Sequence, residues 1–195
     1  MKAFYSVTLG ALLLAGCNDK PGQASADNST AVDAMANNAA APGPMNETMA
    51  RAVPMDATSY LTKAGAGDLF EIESSRAILA KNPDKKVRDF AQTMIDAHTR
   101  STAKLKAGAN AAGLTVAPPK LDNDQQAKLD AIKSAGGAAA ISTYLSAQRE
   151  AHAAALALHQ GYAASGDTPQ LKSAAAEIAP VVQHHIDMLA KLPGA

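Results

Sequence analysis

The chain of 195 residues carries 18 Lys+Arg against 18 Asp+Glu, is 47% hydrophobic and 4% aromatic, and contains one Cys and no Trp. That length holds at most one ordinary domain and a tail, and the balanced charge offers no basic field to release counterions from phosphates, which argues against nucleic-acid binding. A single cysteine excludes an intramolecular disulfide framework and any zinc or iron–sulfur site built on thiolates.

Met1-Lys2, an apolar stretch from Ala3 to Leu14 and the small residues Leu14-Ala15-Gly16-Cys17 follow the order of an export signal. The apolar run is shorter than the roughly 20 residues a membrane-spanning helix needs. Leu14-Ala15-Gly16-Cys17 resembles the bacterial lipobox, which implies a lipoprotein signal peptide over residues 1–16 and lipid attachment at Cys17. The expected location is the bacterial cell envelope, on the periplasmic side, with the lipid anchor in either the outer or the inner membrane. The alternative is an ordinary secretory signal that contains a cysteine.

Residues 17–54 are rich in Ala, Asn, Pro, Gly, Ser and Met and show neither strand nor helix periodicity, so a disordered tether is expected there. Met35, Met45, Met49 and Met55 are spaced too irregularly to argue for a copper-binding methionine tract. A folded domain is expected over residues 55–195, where Ala, the best helix former, is the commonest apolar residue.

Asp56 reads as the N-cap of a first helix whose apolar positions include Leu61, Leu69, Ile72 and Leu79. Asn82-Pro83 reads as a cap and first-turn proline for a second helix, running through Phe90, Met94, His98 and Leu105 to Ala112, with Gly113 as its stop. Asp122 with Gln125 resembles a capping box that opens a short connector helix ended by Gly136-Gly137. A third long helix is expected from about Ala138 to Ala164. Thr168-Pro169 repeats the cap-plus-proline start for a fourth, carrying Leu171, Ile178, Val182, His185 and Leu189. Pro180 inside it removes one backbone hydrogen bond and is expected to bend it. No strand pattern competes. The expectation is all-α: a ferritin-like four-helix bundle with a short connector helix between its second and third long helices.

At 1.5 Å per residue, His98 and His152 fall at the middle of their helices, Glu71 close to the middle of the first, and His185 roughly 7 Å from the middle of the last. The three histidines lie on the apolar stripes of their helices and are expected to point inward. One carboxylate and three imidazoles then share a height, and two readings stay open. Buried imidazoles need hydrogen-bond partners, and Tyr144, Gln148 and Glu71 can supply them, making a polar packing layer. Alternatively Glu71, His98, His152 and His185 ligate a metal, with Tyr144 and Gln148 supporting them from outside; that donor set suits zinc or copper, and iron or manganese less. Di-iron carboxylate bundles place Glu three residues before His on two helices. Here those positions are Ile95 and Arg149, and Asp96 and Glu150 lie about 200° around from the following histidines. His159 and His184 are expected at the rim or surface. The charge run Lys81 to Arg88 is expected to be a solvated helix start, and no phosphate loop or nucleophile–base pair is recognisable.

Four segments carry a resemblance: Gly67-Asp-Leu-Phe-Glu71-Ile-Glu73, Val87 to Thr99 around Phe90, Met94 and His98, Tyr144 to His152 through Gln148, and Pro180-Val-Val-Gln-His-His185. Over about residues 57–192 the chain resembles a bacterial envelope family known as domain of unknown function 4142. The resemblance implies a ferritin-like fold and an envelope location without a specific activity, and it makes Glu71, His98, His152 and His185 recurring motif positions. This chain departs from the family pattern at Ala97, where an Asp usually precedes the histidine, and at Ala140-Ile141, where an aromatic–acid pair is usual.

The leading functional reading is a membrane-tethered envelope lipoprotein, not established as an enzyme, whose bundle binds a metal ion or an envelope protein partner. Two alternatives stand beside it: a metal-dependent oxidoreductase or stress-protective enzyme, and a purely structural or interaction module with a polar packing layer.

Overall fold

The computed structural model describes residues 55–192. The expected signal peptide, the Cys17 lipidation site and the tether all lie outside the described residues. Within them are five helices and no strand: α1 (Ala57–Leu79), α2 (Lys85–Ala111), α3 (Asn123–Ser134), α4 (Gly137–Ser165) and α5 (Pro169–Leu189). None of the described helices is long and apolar enough to cross a membrane.

Most boundaries follow from local chemistry. Asp56 caps α1 by accepting from the Ser59 backbone N–H at 2.9 Å, and Asp122 and Gln125 form the reciprocal capping box of α3. The start of α2 corrects the sequence expectation. Asn82 has φ 51°, so it ends the first helical segment in a left-handed conformation instead of capping the next. Asp84 is the cap of α2, its carboxylate accepting from the Lys86 and Val87 backbone N–H groups at 2.9 and 3.1 Å. Thr168 does precede α5, but its side chain makes no capping bond and donates to Asp167 Oδ1 at 2.9 Å. Asp167 is the more connected residue: it also accepts from Tyr162 Oη at 2.8 Å and from the Ala57 backbone N–H at 3.3 Å, tying the end of α4 to the start of α1. Pro180 lies inside α5.

The long helices form a ferritin-like bundle in which α1 packs on α2 and α4, and α5 packs on α2 and α4. One apolar cluster joins Ile78 at the end of α1, Val87 and Phe90 at the start of α2, Tyr144 and Leu145 at the start of α4, and Leu189 at the end of α5. The other joins Tyr60 and Leu61, Leu105 and Ala109, Tyr162, and Leu171 and Ala175 from the opposite ends of the same helices. Helices α2 and α4 therefore run in one direction and α1 and α5 in the other. The chain between α2 and α4 must travel the length of the bundle, and α3 lies within that connection, packed against α1 and α4. Where the connection passes α1, a Cβ on Gly65 would stand 3.3 Å from Pro119 Cβ, so the small residue permits the close approach. Fully burying a large apolar side chain contributes about 1.5–3 kcal/mol, and Phe90, Ile78, Leu145 and Leu171 are all buried to that degree. The two clusters hold the helix ends; polar residues concentrate between them.

Candidate metal centre

The mid-bundle layer contains Asp68, Glu71, His98, Gln148, His152 and His185, all buried. Helices α2, α4 and α5 contribute one histidine each, and inward placement on each apolar stripe brings the rings together. His98 and His152 have ring centroids 5.6 Å apart, His98 and His185 5.6 Å, and His152 and His185 5.3 Å. One nitrogen from each ring lies within 4.8 Å of the other two. The vertical offset expected for His185 does not keep it from the cluster.

Two of the three rings are oriented by a neighbour. His152 Nδ1 donates to the Gln148 carbonyl oxygen at 2.8 Å, one turn back on α4, and its Nε2 lies 3.3 Å from His185 Nδ1. His98 Nδ1 donates to Asp68 Oδ1 at 2.8 Å, and Asp68 Oδ2 accepts from Thr102 Oγ1 at 3.0 Å. His98 Nε2 is buried with no hydrogen-bond partner among the described residues. Fixing Nδ1 by a carboxylate or a backbone carbonyl is the arrangement that prepares an imidazole to ligate through Nε2.

The electrostatics differ from ring to ring. Burial, reinforced by His98 and His152, pushes His185 down to about 3, so it is neutral at neutral pH. Burial also pulls His98 downward, but the hydrogen bond to Asp68 and the negative charges of Glu71 and Asp68 outweigh it and raise its pKa above 6.5.

Glu71 stands outside the three-histidine group. Its Oε1 lies 3.5 Å from His152 Nδ1, whose hydrogen is already taken by Gln148, and neither carboxylate oxygen has a hydrogen-bond partner among the described residues although Glu71 is only 2% exposed. An unpartnered buried carboxylate is costly. The two supporting residues expected from sequence act differently from that expectation. Gln148 holds His152 with its backbone, while its side-chain Nε2 donates to Ser74 Oγ at 3.1 Å. Tyr144 pairs with Ser75 Oγ at 2.9 Å, one layer away from the imidazoles, and burial raises its phenol well above 10.

Two residues were missed at the sequence level. Asp68 sits one turn before Glu71, and that i, i+3 spacing on α1 was the available signal. It supplies the carboxylate partner that Ala97 does not. His159, expected at the rim, is 3% exposed: its Nδ1 is hydrogen-bonded to Tyr60 Oη at 2.9 Å, and Tyr60 stacks on Tyr162 at 3.8 Å between centroids. One heptad separates it from His152 on α4, so it keeps the same inward face. His184, by contrast, is exposed as expected.

A cavity of ≈ 620 Å³ between α1, α4 and the long connection reaches this layer, with Glu71, His98, His152 and His159 on its wall. The donor set is suited to a single transition ion. Metal–nitrogen bonds of about 2.0–2.1 Å arranged tetrahedrally give nitrogen–nitrogen edges of about 3.3 Å; His152 Nε2 and His185 Nδ1 stand 3.3 Å apart, and all three nitrogens lie within 4.8 Å of one another.

The family model described as Domain of unknown function (DUF4142) matches residues 23–192. The chain belongs to the DUF4142 family. Among solved structures, the crystal structure of a DUF305 fragment from Deinococcus radiodurans is similar, with a TM-score of 0.60 and 12% identity over 69% of this chain and 92% of that one. At that identity the likeness shows a shared fold alone. No curated protein matches this DUF4142 chain significantly.

Proposed function

We propose that this DUF4142 chain is a lipid-anchored envelope protein whose bundle binds one transition-metal ion, zinc or copper, through His98, His152 and His185. The observation that carries the reading is the pairing of a clustered, pre-oriented imidazole set with unsatisfied polar atoms. A polar packing layer would satisfy its members, as Tyr144 with Ser75 does. Here His98 Nε2 is left over within the cluster of rings, and both oxygens of Glu71 are left over beside it, on the Nδ1 side of His152. A bound cation uses the first as a ligand and offsets the charge of the second.

Imidazole donors without thiolates favour zinc or copper over hard cations, which prefer oxygen. The carboxylates act from outside: Asp68 orients His98, and Glu71 balances the charge. This is a different design from a di-iron carboxylate centre, which needs bridging glutamates on the histidine-bearing helices. The envelope location and the anchor at Cys17 rest on the lipobox-like Leu14-Ala15-Gly16-Cys17.

The test is elemental analysis of the full-length chain, purified in detergent without a histidine tag, beside His98→Ala and His152→Ala variants whose helicity is checked by circular dichroism. Near-stoichiometric zinc or copper in the parent and its loss in both folded variants support the site. A parent that takes up neither ion after reconstitution returns the layer to a packing role.

A further inference from the structure

The cavity between α1, α4 and the long connection, ≈ 620 Å³, has the size of a small-molecule site. The acids on its wall are already committed. Asp68 holds His98 and Thr102, Asp122 caps α3, and both Glu71 oxygens are closed off from water. The groups left for a ligand are cations and an imidazole. Lys63 and Lys120 line the cavity, both exposed and neither with an ion-pair partner among the described residues. His159 lines it as well. That ring is 3% exposed and uses Nδ1 on Tyr60, while its Nε2 has no hydrogen-bond partner among the described residues and, unlike His98 Nε2, is not closed off. A side chain this buried meets open space only through the cavity it lines, so Nε2 is aimed into it. In the tautomer whose Nδ1 accepts from Tyr60 Oη, Nε2 carries the ring hydrogen and can donate it to a ligand.

These three groups gather at one end. Tyr60 meets His159, Lys63 lies about 4.5 Å further along α1, and Lys120 follows Pro119, whose Cβ would stand 3.3 Å from a Cβ on Gly65. From His159 the cavity continues along α4 past Ala155 to Ala151, about 12 Å, with Leu121 of the connection also on its wall. A carboxylate at the cationic end gains charge-assisted hydrogen bonds, and an apolar chain laid along α4 removes the exposed parts of Ala151, Ala155 and Leu121 from water. The reverse orientation brings the acid toward the charges of Asp68 and Glu71. We propose that this cavity binds a small monocarboxylate with an apolar chain, a medium-chain fatty acid in chemical class, its carboxylate held by Lys63, Lys120 and His159 and its chain directed along α4. None of the three head-group contacts belongs to the imidazole cluster, so the proposal stands apart from the metal reading.

The experiment places the full-length chain in lipid nanodiscs, takes empty nanodiscs as the blank, and titrates octanoate isotopically labelled at its carboxyl carbon while following the carboxyl resonance. Lys63→Gln combined with Lys120→Gln removes both charges at exposed positions, where folding is not at stake. Ala155→Phe fills the path of the chain, and circular dichroism checks that each variant is folded. The expected result is saturable binding above the blank in the parent, about tenfold weaker in the double variant and in Ala155→Phe, and displaced by unlabelled decanoate but not by octanol or acetate at the same concentration. No saturable binding in the parent overturns the proposal. Equal binding in the parent and the double variant does the same, because the carboxylate then lies elsewhere. Displacement by octanol as effective as by decanoate leaves a cavity without selectivity for an acid and overturns it too. Full binding retained in Ala155→Phe overturns the course of the chain along α4.

Discussion

Asp68 Oδ1 accepts the Nδ1 hydrogen of His98 at 2.8 Å across the α1–α2 interface, and Thr102 holds the second carboxylate oxygen. The pair fixes which His98 nitrogen faces the cluster. Losing an outer partner of a metal-bound histidine typically costs about 10–100-fold in affinity. Asp68→Asn is therefore expected to weaken zinc binding by that range with helicity intact, and Thr102→Val by less. Competition against a chromophoric chelator measures both.

Glu71 is buried without a hydrogen-bond donor among the described residues. Removing the charge relieves a desolvation cost of about 1–3 kcal/mol, so Glu71→Gln should stabilise the metal-free chain toward urea by an amount of that order. The same variant should bind the metal more weakly, because the offsetting charge is gone. Stabilisation in both states would contradict the role given to Glu71.

His159 is held neutral: burial lowers its pKa from 6.5 to about 4, and its Nδ1 is hydrogen-bonded to Tyr60 Oη. Asp68 opposes this shift by raising it and His98 adds to it. A depressed folded pKa means the unfolded chain binds the proton first, so the contribution is complete above pH 6.5 and is lost as pH falls toward 4. The interval corresponds to about 3 kcal/mol. His185 acts in the same direction, pushed down to about 3. His159→Gln should therefore flatten, without abolishing, the acid-side fall in stability, read as urea midpoints at pH 7 and pH 4.5.

Core and surface should separate cleanly. Phe90 is 2% exposed within the apolar cluster at one end of the bundle, and Val181 on α5 is 46% exposed. Phe90→Ala is expected to cost about 3–5 kcal/mol, and Val181→Ala to stay within about 0.5 kcal/mol. Chemical denaturation of the two variants distinguishes them directly.

The two helix starts that share an X-Pro signature should respond differently. Asp84 accepts two backbone hydrogen bonds, so Asp84→Ala should cost about 1 kcal/mol. Thr168 makes no such bond, and Thr168→Ala should cost clearly less. Thermal melts of the pair check the assignment of Asp84 as the cap.

Local chemistry along the chain was enough for the helices. Asp56, the Asp122–Gln125 box and Pro169 mark starts that short-range hydrogen bonds and a locked φ enforce, and the apolar stripes carrying His98, His152 and His185 state which face turns inward. The same spacing placed those three histidines at one level. What it left undecided were relations between helices. That Asp68 orients His98, that Gln148 serves through its carbonyl, that Glu71 stands beside His152 and outside the ligating trio, and that His159 is sealed against Tyr60 all depend on rotation of one helix against another. Rotation is set by side-chain packing across interfaces, and a residue half a turn from a stripe's centre faces core or solvent according to its neighbours. Sequence by itself therefore determined the helices, their order and the inward histidines, through interactions a few residues long. The cavity, the hydrogen-bond partner of each ring and the unpartnered carboxylate were decided only by tertiary structure, because they exist only where separate helices meet.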